Sequence, residues 1–495
     1  MKKMKINEEA AMNKQKVFSR FTWVAVILAV CLCYMCSRAT GLYQHHMRIR
    51  GIMLTGLACC CLYIVIRKPN EQKICTLIIV MGMIMRIGYM LYTGCNERQH
   101  DMGVIAQNGS GHATYLLTLI KEGHLPDVNN GQMYQQPLFY ILGAGISKLI
   151  NGILRSGEDY FLVDAVKTVS CSASCIILLI SRKIGTMCRL DKKGLRYALT
   201  VIAFLPAFYH TAGMVSPDAL TGMFMLLAFM LTLQWMENSS WKNTILLAFT
   251  YGFAIMTKIS CGVIALITAV LFIWKFISEI KNKKKTWLSL MVKYAVFGMI
   301  ALPLGLLYSV RNYVMFGQSL SYVLPIGVDS WLYRGDHTIA ERYFLVPLAD
   351  FFKSPYVDLQ VDYNAPAYYI KSAFFNEFQY PVPEWLPEVL LICGLVCALA
   401  SITAWIWYMV KCKKKDFNSN VIAFSCVWYY AFMWYFYLKY PHVCSMDFRY
   451  MLFLVIPFAI LLGKYIQFHD KAAGWIKTGI YGLAVFSCGM YICWI

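Results

Sequence analysis

The sequence predicts an all-α polytopic membrane protein, a bundle of about 13 transmembrane helices, from three observations. Its 495 residues are 59% hydrophobic and only 15% charged, with a mean hydropathy of +0.53. Apolar runs near the roughly 20 residues that cross a bilayer recur along the chain. Lysine and arginine collect in short clusters between these runs, as in residues 411–415. The net charge of +20 therefore indicates loops that face anionic lipid and argues against nucleic-acid binding, because no nucleic-acid motif accompanies it.

Thirteen apolar segments are expected to cross the membrane, with the basic N-terminal tail inside. They are residues 21–36, 51–66, 74–92, 163–181, 195–214, 219–236, 244–257, 259–277, 287–310, 389–410, 421–438, 450–466 and 475–495. The inner segments then hold 24 lysines and arginines and the short outer loops hold 6. Such a bias is typical of cytoplasmic loops, so we expect a multi-pass protein of the cell (plasma) membrane.

These crossings divide the chain into six regions. They are a cytoplasmic basic tail (1–20), the first three transmembrane helices (21–92), an outer loop with interfacial helices and the candidate catalytic residues (93–162), the core transmembrane helices (163–310), an aromatic-rich outer loop (311–388) and the C-terminal transmembrane helices (389–495). The aromatic-rich loop is long for a connection, so we expect it to pack on the bundle.

Three features fit this topology less simply. Arg38, Arg48 and Arg50 fall in an outer loop, against the charge bias. Arg86 lies within the third crossing and is expected to reach the outer surface with its charged end, the alternative being an ion pair inside the bundle. Residues 137–153 are apolar but short and interrupted by glycine and serine, so we expect a helix in the outer interface.

A polar island at residues 98–140 lies between apolar segments and holds His100, Asp101, His112, His124 and Asp127. Ionisable groups held at a membrane surface are candidates for function. The topology brings others to the same outer face. Together with three residues of the island they form the set Asp101, His112, Asp127, Asp218, Lys258, Arg311, Asp447 and Arg449. Carboxylates beside cations, above a hydrophobic groove, suit a transfer from a lipid-linked phosphate, which needs a base and a stabilised leaving group.

Five stretches in the same order resemble the GT-C superfamily of membrane glycosyltransferases, notably the protein O-mannosyltransferase and aminoarabinose transferase group (glycosyltransferase family 39-like). They are GHATYLLTLIKEGHLPD followed by YQQPLFYIL, then MVSPDALTGMFMLLAF, FAIMTKIS, RNYVMFG, and PHVCSMDFRYMLFLVIPFAIL. The resemblance covers about residues 74 to 465. It implies an enzyme that passes a sugar from a polyprenyl (or dolichyl) phosphate on the outer leaflet to an acceptor, usually with inversion.

The resemblance also implies roles for individual residues. Asp101 would be the base and Asp218 a second carboxylate of the site. The phosphate contacts would be Lys258, Arg311 and Arg449, and His112 would contact the substrate. Two departures from the family stand out. The acidic pair expected about four residues before the histidine is replaced by Asn108 and Gly109, and the first proline of the Pro-Pro pair is Gln136.

Each of these residues also has a structural interpretation. Asp101 could cap a helix, and Asp218 occupies a helix start where an acid is favourable. His112 could be a packing residue, and Arg311 an interfacial anchor. Arg449 could pair with Asp447 rather than with a phosphate. Lys258 interrupts an apolar run, where an unpaired charge would be costly.

The sequence leaves several points open. No cysteine or histidine spacing demands a metal, yet a divalent ion could bridge Asp101 and the donor phosphate. Cys95 and Cys444 both fall outside and could form a disulfide. A transporter or lipid flippase without transferase activity, or a polymerase or ligase that uses a lipid-diphosphate glycan, are the alternative functions. The gathering of charges at one face, without repeat symmetry, favours the transferase. The acceptor would be an unknown glycan, lipid or protein.

Overall fold

A computed structural model describes residues 22–103, 105, 109–282 and 286–494. The predicted basic tail (1–20), as well as Asn108, lies outside the described residues. The described part of the chain is helical, and its one β-bridge pairs Tyr333 with His442 outside any strand. The predicted all-α fold class is confirmed.

Between residues 22 and 281, the described part of the chain contains twelve α-helices. They are α1 (Thr22–Ala39), α2 (His46–Arg67), α3 (Glu71–Tyr92), α4 (His112–Leu117), α5 (Leu138–Leu154), α6 (Asp159–Asp164), α7 (Lys167–Met187), α8 (Lys192–Phe204), α9 (Ala207–Gly213), α10 (Asp218–Glu237), α11 (Trp241–Thr257) and α12 (Gly262–Lys281).

The second half contains eight more. They are α13 (Trp287–Phe316), α14 (Ile339–Tyr343), α15 (Leu348–Lys353), α16 (Ala365–Phe375), α17 (Trp385–Val410), α18 (Phe417–Lys439), α19 (Leu452–Phe468) and α20 (Gly474–Cys488). Short 3-10 turns join several of them, among them Val443–Met446 and Phe448–Met451 directly before α19.

Eleven helices in the described residues are long and apolar enough to cross a membrane. Each coincides with one of the thirteen predicted crossings. The two other crossings are also helical but shorter: residues 244–257 fall in the 17-residue α11, and residues 195–214 are divided between α8 and α9. Pro206 causes this division, because proline has no amide hydrogen and disfavours a helical residue before it. Leu205 is accordingly extended.

Arg86 does not reach the surface as expected, nor does it form the alternative ion pair. Its side chain is fully buried, and it donates hydrogen bonds to Ile202 O (2.9 Å) and Ala203 O (3.0 Å) at the end of α8. A residue other than proline at position 206 would offer its amide to Ile202 O. Arg86 therefore satisfies carbonyls that the break in the helix leaves without a backbone partner.

Arg38 is explained by a buried carboxylate. At the end of α1 it pairs with Asp164, which also bonds Lys167 Nζ (2.6 Å) and Tyr34 Oη (2.9 Å). This cluster joins the end of α1 to the start of α7. Arg38 is therefore an exception to the charge bias of the loops because Asp164 balances its charge.

The two loops predicted to lie outside contain helices that pack against the bundle. The segment predicted as interfacial forms α5, a 17-residue apolar helix. Residues 311–388 contain α14 to α16, and Tyr343 Oη and Arg342 Nη2 donate to carbonyls of α18, those of Trp434 (2.8 Å) and Tyr437 (2.5 Å). The expectation that this loop packs on the bundle is confirmed.

The disulfide that the sequence left open is not formed. Cys95 and Cys444 are both free thiols. Cys95 is buried, and its amide nitrogen donates to Asp164 Oδ1 at 3.0 Å.

Candidate functional site

An ion cluster lies where α10, the α11–α12 junction and the turn before α19 meet. Arg449 is its centre and is only 6% exposed. Its Nε lies 3.4 Å from Asp447 Oδ2 and 4.0 Å from Asp218 Oδ2, and its Nη2 lies 3.6 Å from Asp101 Oδ2. One guanidinium therefore serves three carboxylates from three separate parts of the chain.

Asp218 and Lys258 form the tightest pair of the cluster. Lys258 Nζ donates to Asp218 Oδ1 at 2.6 Å, and Ser216 Oγ donates to Oδ2 at 3.0 Å. Asp218 occupies the first turn of α10 after Pro217, a favourable position for an acid. Lys258 is the extended residue that ends α11, and its ammonium lies 4.6 Å from the centre of the Tyr450 ring.

Asp101 is held by its backbone and leaves half of its side chain in solvent. Its φ is +52°, in the left-handed region that aspartate tolerates. His112 N donates to Asp101 O (2.9 Å) and Ala113 N to Met102 O (3.0 Å), so this loop caps the start of α4. Its carboxylate is 48% exposed, whereas that of Asp218 is 4% exposed. Of Asp101 and Asp218, Asp101 is thus the carboxylate that water can reach.

His112 lies beside the cluster as a buried, neutral side chain. Its Nδ1 is 2.6 Å from Tyr140 Oη. Burial lowers the pKa of His112 to about 4, although the negative charges of Asp101 and Asp218 oppose this. The imidazole is therefore uncharged at neutral pH.

A second group of ligand-type side chains adjoins the cluster. His100 Nδ1 lies 3.0 Å from Glu377 Oε2, and His100 Nε2 lies 3.5 Å from Asp447 Oδ2. One ligand atom from each of the three lies within 4.8 Å of the others. Asp447 Oδ2 is buried and has no hydrogen-bond partner. Burial raises the pKa of Glu377, but the hydrogen bond and charge of His100 outweigh it and lower that pKa to about 2. Two carboxylates and an imidazole are a donor set that could hold a divalent cation, although burial raises the pKa of the Asp447 carboxyl.

The ion cluster opens into a cavity. Asp218, Lys258 and Arg449, which lie together in the ion cluster, line part of it. Much of the remaining wall is apolar and includes Met225, Ile259, Leu320, Phe432, Met433, Leu452 and Phe453. A third part carries uncharged polar side chains, namely Gln135, Gln136, Ser309, Asn312, Gln318 and Ser319. The cavity can therefore hold a molecule with an anionic group, a polar part and a hydrocarbon part.

Arg311 is placed apart from the other proposed phosphate contacts. Its Nη2 donates to Pro126 O (2.8 Å) and Asp127 Oδ1 (3.2 Å), and it is not among the residues that line the cavity. The structure brings Asp101, Asp218, Lys258 and Arg449 together. It leaves Arg311 bound to the polar island.

Sequence reasoning did not assign a site role to His100, Glu377, Gln136 or Gln318. Gln136 had a usable signal, because it replaces a proline of the family pattern. Glu377 and Gln318 lie in the long aromatic-rich loop, where no periodic pattern shows which side chain turns inward.

Comparison with known proteins supports the resemblance in one segment. The family model described as dolichyl-phosphate-mannose-protein mannosyltransferase matches residues 154–318. No curated protein matches the chain.

Solved structures match only distantly. The oligosaccharyltransferase AglB from Archaeoglobus fulgidus, in complex with an inhibitory peptide and a dolichol-phosphate, is 10% identical with a TM-score of 0.49, over 86% of this chain and 56% of that chain. ArnT from Cupriavidus metallidurans in the apo state is 13% identical with a TM-score of 0.35, over 84% and 76%. ArnT bound to undecaprenyl phosphate is 12% identical with a TM-score of 0.34, over 81% and 78%. These scores carry no argument about function, and the chain spans little more than half the length of AglB.

The family match is therefore the comparison that bears on the site. Residues 154–318 carry Asp218 and Lys258, the tightest ion pair of the cluster. Over this third of the chain, the resemblance to GT-C glycosyltransferases of the protein mannosyltransferase type is confirmed.

Proposed function

We propose that the protein is a glycosyltransferase that moves a sugar from a polyprenyl-phosphate donor to an acceptor at the outer face of the cell membrane. The observation that carries this proposal is the lining of the cavity, in which two cations lie together beside Asp218 and most of the other surface is apolar. A lipid phosphate has the same division between an anionic head and a hydrocarbon tail. The family matched by residues 154–318 is named for such a donor.

The donor phosphate would bind between Lys258 and Arg449. Both line the cavity, and both are largely buried, with 17% and 6% of their side chains exposed. Charges in such surroundings act more strongly on an anion than they would in water. Asp218 would keep Lys258 in place rather than take up a proton, because its two oxygens already bond Lys258 and Ser216.

Asp101 would be the general base. Its carboxylate is half exposed and beside Arg449, so an acceptor hydroxyl can approach it from water. The carboxylate would accept the hydroxyl proton as the acceptor oxygen bonds to the anomeric carbon of the sugar. The bond from that carbon to the phosphate oxygen would break, and polyprenyl phosphate would leave with its charge stabilised by Lys258 and Arg449. Attack on the side opposite the phosphate would invert the anomeric centre.

A divalent cation would be held by His100, Glu377 and Asp447, rather than by Asp101 as the sequence suggested. The donor set fits, because Asp447 Oδ2 is buried without a hydrogen-bond partner. Four carboxylates surround Lys258, Arg449 and His100, so an anionic phosphate would meet excess negative charge. The cation would supply the compensating positive charge.

Metal analysis of the purified protein should find a divalent cation, and treatment with a chelator should abolish donor binding. A metal-free protein with full donor binding would contradict this part of the proposal.

Asp101→Asn tests the mechanism. The variant should lose transfer of label from a polyprenyl-phosphate hexose to endogenous acceptors in membranes, by a factor of at least about 100, because an amide cannot accept the proton. It should still bind polyprenyl phosphate. Asp127→Asn is the matched control, since this carboxylate is 68% exposed and outside the cavity. Full activity of Asp101→Asn would contradict the mechanism, and lack of polyprenyl phosphate binding by the parent protein would contradict the function.

A further inference from the structure

One wall of the cavity consists of uncharged polar side chains that are nearly buried. Gln136 and Gln318 are each 6% exposed, Ser309 is 5% and Asn312 is 4% exposed. All four line the same cavity as Lys258 and Arg449. Amides and hydroxyls at such a depth need hydrogen-bond partners.

Three polar atoms of this wall have no partner. Both Nε2 and Oε1 of Gln318 are unpaired, and so is Oε1 of Gln136. Gln136 Nε2 does have one, since it donates to Ser309 Oγ at 2.7 Å. An unsatisfied buried polar group is unfavourable, so a ligand that pairs with these atoms is favoured.

Local structure fixes both glutamines at this wall. α13 ends at Phe316, and Gly317 has a φ of +67°, which turns the chain so that Gln318 N donates to Asn312 O (3.4 Å). Gln136 directly precedes Pro137, the N-cap residue of α5, at the position where the family resemblance leads us to expect the first proline of the Pro-Pro pair. The departure from the family pattern therefore places an amide where a proline would offer no hydrogen bond.

We propose that Gln136 and Gln318 form a subsite for the hydroxyl groups of an uncharged sugar on the donor lipid, an inference that rests on the function proposed above. Hydroxyl groups both donate and accept, as a carboxamide does, so each unpaired atom can find a complement. The charged residues that line the cavity are Asp218, Lys258 and Arg449, which already belong to the ion cluster. An amino or carboxylate group on the sugar would lack a counter-ion at the amide wall and would be disfavoured.

Equilibrium binding to the purified protein tests the subsite with three probes. They are a short-chain polyprenyl phosphate, the same lipid phosphate carrying a neutral hexose (mannose, glucose or galactose), and the same lipid phosphate carrying an amino sugar. We expect at least one neutral hexose to strengthen binding about 10-fold or more over the bare lipid phosphate. The amino sugar should give no such gain.

Gln318→Leu should reduce the gain in affinity from the hexose by about 10-fold. Its affinity for bare polyprenyl phosphate should be unchanged. The variant should fold normally, since neither amide atom bonds within the protein, and its melting temperature should equal or exceed that of the parent. Gln136→Leu should also reduce the gain. Gln360→Leu, an exposed amide in the same outer loop, is the control.

The outcomes separate the two proposals. A parent protein that does not bind bare polyprenyl phosphate would contradict the proposed function. A parent that binds the bare lipid phosphate, but gains nothing from a neutral hexose or keeps its gain in Gln318→Leu, would overturn the subsite alone. Preference for the amino sugar would overturn it as well.

Discussion

Arg449 is the residue on which the candidate site converges, because it is the only side chain in the described cluster that faces Asp101, Asp218 and Asp447 together. Its charge is shared among carboxylates that differ in exposure. Asp101 is the half-exposed one, so it is the carboxylate that would change partners on binding of the proposed donor phosphate beside the guanidinium. The position of Asp101 therefore matters as much as its chemistry.

We predict that Gly111→Ala will reduce transfer strongly although it leaves Asp101 in the chain. A Cβ at Gly111 would lie 2.2 Å from Met102 O and 2.4 Å from Gly103 N, so the loop that carries Asp101 must move. A displacement of about 1 Å can cost on the order of 100-fold in rate. Transfer rate and binding of polyprenyl phosphate should be measured together. Gly145→Ala in α5 is the control, because no atom lies within 4 Å of its added Cβ; equal activity of the two variants would show that the loop tolerates the methyl group.

His112 is predicted to make the protein less stable at acid pH. Its pKa is lowered to about 4 in the folded protein by burial, whereas an unfolded histidine titrates near 6.5. Between these values only the unfolded chain binds the proton, so stability is complete above about pH 6.5 and falls as the pH drops to about 4. The loss is on the order of 3 kcal/mol.

Melting temperatures from pH 7.5 to 4.5 check this prediction. His112→Asn should flatten the profile, and His124→Asn, which changes a largely exposed histidine, should not. A parallel profile for His112→Asn and the parent protein would show that another group controls the acid sensitivity.

The sequence predicted single charged residues of the site better than it predicted their partners. Asp218 and Lys258 each interrupt or begin an apolar run, and such charges stand out in a membrane protein. Glu377 lies in a loop with no periodic signal. It follows Asn376, whose φ of +55° is not predicted by any sequence pattern. Arg311 shows the converse. The same reasoning predicted it to be a phosphate contact, but its side chain donates hydrogen bonds to Asp127 and Pro126.

At the level of helices, hydrophobic runs predicted all thirteen apolar segments, because burial in a bilayer requires length and composition that can be read directly. The division of the crossing at 195–214 was missed although Pro206 was visible in it. The consequence of the break was not visible, because the compensating guanidinium comes from α3, far away in the chain. The expectation for Arg86 failed for this reason.

We predict that Arg86→Ala will destabilise the bundle by about 2–6 kcal/mol, at about 1–3 kcal/mol for each of two buried carbonyls left without a partner. The melting temperature in detergent should fall clearly. Lys183→Ala, an exposed cation on α7, is the control.

A double substitution shows whether the break in the helix is the reason. In a Pro206→Ala background the new amide can bond Ile202 O, so Arg86→Ala should cost less there than in the parent. An equal cost in both backgrounds would mean that Arg86 stabilises the bundle in another way.

The ion pairs support the predicted alternation across the whole molecule. Arg38–Asp164 and Lys258–Asp218 each join helix ends that the predicted topology places outside. Arg196–Glu71 and Lys464–Asp416 join ends that it places inside. Each pair therefore links positions on one side of the bundle, as a consistent topology requires. Such contacts fix which ends lie together, whereas the charge bias of the loops predicts which side is the outside.

Because these ion pairs fix which helix ends lie on the same side of the bundle, two labelling sites decide the orientation of the whole chain. On intact cells, a membrane-impermeant maleimide should label Val128→Cys in the polar island, whose side chain is 54% exposed. Lys183→Cys, at the end of α7 that the predicted topology places inside, should react only after permeabilisation. The parent protein, with its 19 cysteines, sets the background signal. If Lys183→Cys is labelled from outside and Val128→Cys is not, the bundle is inverted, and the ion cluster, the cavity and Asp101 all face the cytoplasm, where an outward-facing transferase cannot work.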